Sequence, residues 1–162
     1  MTNNDSNWIC CQLGAREHYA IPRVLHQIGQ LKALVTDIWI DRQHPLNCLP
    51  KSYLSSLRAR YHPQLKTAIV KSFTSNQVIW EMTHRGESQE WELIMARNLW
   101  WQKQALKMLT QEPQDHITLF AYSYTALELF KYAKYRGWKT ILGQIDPGII
   151  EAQLVAKKEQ LN

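Results

Sequence analysis

Short apolar runs alternate with amphipathic stretches along this chain, and the alternation predicts its secondary structure. Near the C-terminus, the run 117–122 has the length and the β-branched and aromatic content of a strand buried on both faces. Apolar residues then recur at helical spacing over 126–133, and Gly137 supplies a helix stop. The run 140–143 predicts another strand. This half of the chain therefore predicts a strand, helix, strand unit.

Two helix starts in this half are predicted from capping residues. Thr125 and Glu128 have the spacing of a capping box, in which a hydroxyl and a carboxylate satisfy free backbone amides. Asp146 precedes Pro147, an arrangement typical of a helix N-terminus. We therefore expect a last helix that runs to the end of the sequence.

The N-terminal part of the chain repeats the same order of elements. A compact apolar run at 8–11 is followed by Gly14, by a helical pattern over 21–31 and by a strand pattern over 34–40. Strands that alternate with helices through short connections form right-handed parallel crossovers. The fold class predicted is therefore α/β, with a doubly wound, mainly parallel, Rossmann-like sheet in a single domain that spans 1–162.

The middle region, roughly 41–113, is predicted to be a helix-rich insertion in this domain. A short helix is expected over 53–61 and a long one over 88–112, with helical spacing also at 78–82. The stretch 65–73 is ambiguous, and its pattern slightly favours helix over strand. Two adjacent tryptophans cannot share one helix face, so either Trp100 or Trp101 should lie against another element or form part of a cleft.

Composition narrows the function classes. With 45% hydrophobic and 20% charged residues, the 162-residue chain is typical of one soluble globular domain. The longest apolar runs are strand-length and the N-terminus is polar, so neither a membrane span nor a signal peptide is predicted. The three cysteines lack the spacing of a zinc site, and Cys10 and Cys11 suit a buried strand in a reducing cytoplasm. Cytoplasmic localisation is therefore predicted.

The basic charges and the histidines are both dispersed. The formal net charge of +5 comes from single Lys and Arg residues without a long run, which favours a mildly basic surface over a nucleic-acid interface. The six histidines have no metal-ligand spacing, so no metal site is predicted. The charge and the many tryptophans leave open a peripheral contact with the inner face of a membrane.

Polar residues follow the predicted strands, and the carboxyl ends of parallel strands share one edge where ligands bind. Glycine at the first of these turns allows close approach of a phosphate or sugar, and free amides at the next helix start favour anions. Two sets of residues are expected to converge there on one crevice. They are Gly14, Arg16, Glu17 and His18 after the first strand, and Tyr122, Ser123, Gln144, Asp146 and Gly148 after the later strands. No dinucleotide fingerprint or P-loop motif is present.

Two stretches resemble a known family. The stretch 11–23, CQLGAREHYAIPR, resembles the opening of group 1, family 4 glycosyltransferases of the GT-B fold, where a strand ends in a glycine pair before a polar, His-containing stretch and a long helix. The segment 120–146 is similar to a later part of the same domain. Ala15 stands where the family has its second glycine, and Gln144-Ile145-Asp146 stands where the family has a turn with a histidine.

The resemblance implies transfer of a sugar from a nucleotide-sugar to an acceptor hydroxyl without a metal or other cofactor. It implies that Gly14, Ala15 and Arg16 contact the donor phosphates, and that Asp146 or His18 orients or deprotonates the acceptor. A sugar or a lipid-linked sugar is the acceptor implied, and it would contact Glu17, Tyr122, Ser123, Gln144 and Gly148.

Members of this family have a second Rossmann-like domain that binds most of the nucleotide-sugar. Its motifs are not found in these 162 residues. The prediction is therefore an acceptor-side half-enzyme that needs a donor-domain partner, or self-association through the carboxyl edge of the sheet. A non-catalytic binding or scaffolding module and a flavodoxin-like nucleotide-binding domain are the alternatives left open.

Overall fold

The computed structural model describes residues 7–41, 44, 59–84, 90–145 and 157. Its strands are β1 (Trp8–Gln12), β2 (Leu31–Thr36), β3 (Val70–Ser72), β4 (Thr118–Tyr122) and β5 (Lys139–Gly143). Its α-helices are α1 (Ala20–Gln27), α2 (Thr74–Thr83), α3 (Glu90–Leu109) and α4 (Leu127–Tyr135). Single short turns of helix lie at Arg16–Tyr19, Pro63–Leu65 and Ser123–Thr125.

The five strands form one parallel sheet in the order β3-β2-β1-β4-β5. In the centre of the sheet, Cys10 lies beside Leu34 on one side and Phe120 on the other. The chain thus builds outward from β1 in one direction and then, after α3, in the other. This confirms the predicted doubly wound α/β fold.

Helices cover both faces of the sheet, because the central strands are apolar on both faces. One face packs on α3 and α4 through a layer that includes Cys11, Leu119, Trp101 and Leu129. The other face packs on α1 through Cys10, Leu34, Phe120, Leu25 and Tyr19. Cys10 and Cys11 are both fully buried and unpaired, as expected, and burial raises the pKa of each thiol above its ordinary value.

Several predicted boundaries needed correction. The first helix ends at Gln27 instead of continuing to 31, and β2 runs from Leu31 to Thr36 instead of over 34–40. The preference for helix at 65–73 is wrong, because 70–72 form the edge strand β3. Thr125 does not cap α4, since its hydroxyl donates to the carbonyl of Tyr122 at 3.4 Å.

The adjacent tryptophans of α3 behave as predicted. Trp101 is fully buried in the core, whereas Trp100 lies against Trp80 of α2, with 6.1 Å between ring centroids. The short helix expected at 53–61 lies mostly outside the described residues. The final helix expected from Asp146 onward also lies outside them, except for Lys157. Among the described helices, none combines the length and apolar content that crossing a membrane requires.

Candidate functional site

The strand order places a topological switch point, called the crevice below, at the carboxyl edge of the sheet between β1 and β4. The connections from these two neighbouring strands leave in opposite directions, because β2 lies on one side of the pair and β5 on the other. Open parallel sheets bind ligands at such a switch point. The crevice is bordered by the loop 13–19 after β1 and by the turn 123–125 after β4.

A buried carboxylate, Asp37, fixes the first of these loops. It directly follows β2, is 2% exposed, and accepts the Gly14 amide at 2.9 Å and the Thr36 hydroxyl at 3.1 Å through Oδ1. Its Oδ2 forms a salt bridge with Arg60 at 2.8 Å. Asp37 and Arg60 were not among the predicted site residues. The only signal for Asp37 in the sequence was an acidic residue among the apolar ones of 34–40.

Gly14 occupies a tight position in this loop. Its φ of +83° is a left-handed conformation that glycine adopts without strain, and an added Cβ would lie 3.0 Å from the Arg60 guanidinium. Its amide donates to Asp37. The glycine therefore makes room for Arg60 and for the Asp37 contact.

Arg16 joins the two borders of the crevice. Its Nε donates to the Tyr124 hydroxyl at 2.7 Å, and its guanidinium lies 4.6 Å from the centre of the same ring. The Tyr124 hydroxyl in turn donates to the Leu13 carbonyl at 3.0 Å. Arg16 itself is exposed and, within the described residues, has no carboxylate partner. Among the described residues, its positive charge is therefore not neutralised by a carboxylate.

Glu17 makes the second contact across the crevice. The Tyr122 hydroxyl donates to Glu17 Oε2 at 3.4 Å. Burial, with the nearby Glu17 charge as a smaller cause, raises the pKa of Tyr122 to about 12. The phenol therefore remains a protonated donor at neutral pH. Gly143 of β5 allows this ring position, because a Cβ there would be 2.6 Å from Tyr122 Cδ1.

The turn that presents these side chains has an unusual backbone. Glu17, His18 and Tyr19 have φ values of +49°, +50° and +60°, which are left-handed conformations of non-glycine residues. Each costs about 1–2 kcal/mol relative to ordinary backbone. Packing holds the turn, since the buried Tyr19 ring meets Trp39 edge-on at 5.5 Å and Arg23 donates to the His18 carbonyl at 3.3 Å.

The remaining predicted residues divide into two groups. His18 is exposed on the left-handed turn, Ala15 is half-buried against the core, and Ser123 begins the turn after β4. Gln144 is exposed directly after β5 at the same edge. Asp146 and Gly148 lie outside the described residues. The structure thus brings Arg16, Glu17 and Tyr122 together at the carboxyl edge and adds Tyr124 to them.

One buried polar side chain at the carboxyl end of β1 was not among the predicted site residues. Gln12, the last residue of β1, is fully buried, and its amide donates to the Gly14 carbonyl at 2.9 Å. Its Oε1 has no hydrogen-bond partner in the described part of the chain. An unpaired buried amide oxygen is costly, and Gln12 Oε1 is one of several buried polar atoms without a partner among the described residues. Nothing in the sequence distinguished Gln12 from an ordinary strand end.

Metal ligands and known relatives add no further assignment. The described residues contain no group of three or more His, Cys, Asp or Glu side chains that could hold a metal ion. No protein-family model matches the chain, and neither a curated protein nor a solved structure is significantly similar to it.

Proposed function

We propose that this chain is the acceptor-binding half of a sugar-transferring enzyme of the GT-B type. The observation that supports this most strongly is the pair of contacts across the crevice, from Arg16 to Tyr124 and from Glu17 to Tyr122. These contacts place a cation, a carboxylate and two phenols at the switch point of a parallel sheet. A hydroxyl-rich acceptor needs donors and acceptors of this kind.

The charges of the two arginines near the crevice suit different tasks. Arg60 is paired with the buried Asp37 and so stabilises the loop. Arg16 is held by a neutral phenol, so its charge is not cancelled by a described partner. In the proposed reaction, Arg16 stabilises the negative charge that builds up on the departing diphosphate.

The acceptor side of the reaction needs a proton acceptor. The acceptor hydroxyl oxygen forms a bond to the anomeric carbon of the donor while the bond from that carbon to the diphosphate oxygen breaks. The hydroxyl proton passes to a base, for which His18 and Asp146 are the proposed candidates. His18 lies beside Glu17 on the left-handed turn. In the proposed reaction, the Glu17 carboxylate orients the acceptor hydroxyl.

Most of the donor contacts are proposed to come from a second Rossmann-like unit, on a partner chain or elsewhere in the protein. The purified 162-residue chain should therefore bind an acceptor glycoside without turning over a nucleotide-sugar. Saturation-transfer NMR with octyl β-glucoside tests the first part, and release of UDP from UDP-glucose in its presence tests the second.

The variants Arg16→Met and Glu17→Gln should each weaken glycoside binding, because both remove a charged group from the crevice. Lys134→Met, an exposed cation on α4, is the matched control and should bind like the parent. Robust UDP release by the chain alone would contradict a half-enzyme. Tight binding of FMN with no response to glycosides would favour the flavodoxin-like alternative.

A further inference from the structure

A cavity of about 710 Å³ lies between the loop after β2, the start of α2 and the C-terminal part of α3. Its volume lies within the range of about 300–1,000 Å³ that is usual for small-molecule sites. No residue of the turn 16–19 or of the stretch 122–125 lines it. The cavity is therefore a separate site from the crevice between β1 and β4.

One wall of the cavity is fixed by hydrogen bonds within the protein. The Thr74 hydroxyl accepts the Trp39 amide at 3.0 Å and lies 3.2 Å from the Ser72 hydroxyl. The Phe73 amide donates to the Asp37 carbonyl at 3.0 Å. Tyr61 packs on the Trp39 ring at 5.2 Å between centroids. A ligand would therefore meet a wall that is already ordered, which lowers the entropic cost of binding.

Five polar side chains that line the cavity make no hydrogen bond or ion pair with another described residue. Within the described part of the chain, none of them has a hydrogen-bond or ion-pair partner; they are Ser75, Asn76, Gln104, Lys107 and Gln111. Together they offer a hydroxyl, three amides and an ammonium, so donors and acceptors are both present. Trp39 and Met108 add apolar surface to the same cavity.

We propose that this cavity binds a neutral carbohydrate, a mono- or short oligosaccharide. Sugar hydroxyls both donate and accept, as the free amides do, while the C–H faces of a sugar ring suit the surfaces of Trp39 and Met108. A purely apolar ligand would cover the amides without pairing them, at a cost for each. Among the described lining residues, a multiply charged anion would meet the ammonium of Lys107 and the imidazole of His44, but also the carboxylate of Asp41.

This inference goes beyond the proposed function, because it requires neither transfer chemistry nor the residues of the crevice. The test is a titration of the purified chain with glucose, galactose, mannose, N-acetylglucosamine, maltose and cellobiose, monitored by two-dimensional NMR. We expect at least one of these sugars to shift the Trp39 indole signal and the side-chain amide signals of Asn76 and Gln104.

The variants separate this cavity from the crevice. Lys107→Met and Gln104→Leu should each weaken sugar binding in the cavity about fivefold or more, because each variant loses a hydrogen bond to the sugar. Lys103→Met is the matched control, because Lys103 is exposed one turn earlier on α3 and does not line the cavity. Lys103→Met should bind each sugar like the parent. The NMR spectrum of each variant reports whether it is folded.

Three results would overturn the proposal. The first is the absence of these shifts with every sugar up to about 50 mM, which is weaker than any useful site. The second is sugar binding that survives Lys107→Met and Gln104→Leu but is lost in Arg16→Met, which would assign the sugar to the crevice and support the proposed function alone. The third is binding of glucose 6-phosphate through Lys107 with no response to neutral sugars.

Discussion

At the residue scale, Asp37 connects three segments of the chain through one carboxylate. The side chain is 3% exposed and that of Arg60 is 26% exposed, so the pair is shielded from water far more than a surface ion pair is. Asp37→Asn keeps the shape but removes the charge, which leaves the Arg60 guanidinium without its counterion. We expect a loss of about 2 kcal/mol in the free energy of unfolding, measured with urea.

The control for this prediction is Asp115→Asn. Asp115 also forms a salt bridge with an arginine, Arg136, at 2.7 Å, but its side chain is 72% exposed. Its loss should change stability little, because water already screens the pair. Equal effects of the two substitutions would contradict a structural role for the Asp37 pair.

The importance of Asp37 could not be predicted from the sequence. Its pattern predicted a strand over 34–40, in which a single aspartate is a minor exception. The partners of Asp37 are 23 positions away in both directions, at Gly14 and Arg60, and only the tertiary fold brings them together. Gly14 has the left-handed φ that favours glycine, but its amide donates to Asp37, and its contact with a phosphate or sugar stays a prediction.

Gly143 provides a second residue-scale prediction. A Cβ at this position would lie 2.6 Å from Tyr122 and 2.9 Å from Phe120, so alanine must displace at least one ring. We expect Gly143→Ala to lower the free energy of unfolding by about 1–3 kcal/mol, as overpacking does. The same substitution should cost less in a Tyr122→Ala background, as a double-mutant cycle would show. If the effects of the two substitutions on the free energy of unfolding were additive, the predicted clash with Tyr122 would be contradicted.

At the element scale, the left-handed turn 17–19 is the feature that separates the candidate site from an ordinary strand-to-helix loop. Glycine at position 18 would relieve a φ of +50° that costs histidine about 1–2 kcal/mol, while it adds about 0.5–1 kcal/mol of unfolded-state entropy. We expect His18→Gly to leave stability unchanged or to raise it slightly.

The comparison variant is Val24→Gly, at an exposed position in the interior of α1. With helical backbone and no strain to relieve, it should lose roughly 0.3–0.5 kcal/mol, the difference in helix propensity between valine and glycine. Chemical denaturation of both variants gives the comparison directly. If His18→Gly destabilised the protein as much as Val24→Gly does, the backbone at position 18 would not be left-handed in solution.

Elements were predictable where their own sequence pattern determines the secondary structure. They were less predictable where contacts with neighbouring elements determine it. The buried strands β1 and β4 and the long helix α3 were predicted because their apolar patterns are strong. The edge strand β3 was missed, since it has three half-buried residues and no alternation to distinguish it. The start of α4 was assigned to Thr125, whereas the side chain of Gln102 on α3 accepts the Glu128 amide at 3.3 Å.

At the scale of the whole molecule, the fold class was predictable, but the side-chain contacts across the crevice were not. Alternating strands and helices leave few arrangements other than a doubly wound parallel sheet. The contact between Arg16 and Tyr124 spans 108 positions, and that between Glu17 and Tyr122 spans 105. The sequence predicted that the two edges would converge. Which side chains pair across them depends on rotamers and backbone conformation that no local pattern specifies.

Burial of thiol and phenol groups in the core predicts a steep loss of stability at alkaline pH. Burial raises the pKa of Cys10, Cys11, Tyr19 and Tyr122 above their ordinary values. The folded state therefore keeps protons that the unfolded state releases, so the free energy of unfolding falls as pH rises above about 9. Each thiol, with an ordinary pKa of 9.0, should contribute a loss of about 2 kcal/mol by pH ~10.5.

Tyr122 should add to this loss only between its ordinary pKa of 10.0 and its raised pKa of about 12. Urea unfolding of the reduced protein at pH 8 and about 10.5 measures the difference between the two free energies. In the double variant Cys10→Ala and Cys11→Ala, the difference should shrink by roughly 4 kcal/mol, because alanine has no proton to release. Because the two pH values are compared within the same protein, the cost of the cavities that alanine leaves is the same at both and cancels. An undiminished difference would show that the thiols are not the buried groups that make the folded state sensitive to alkali.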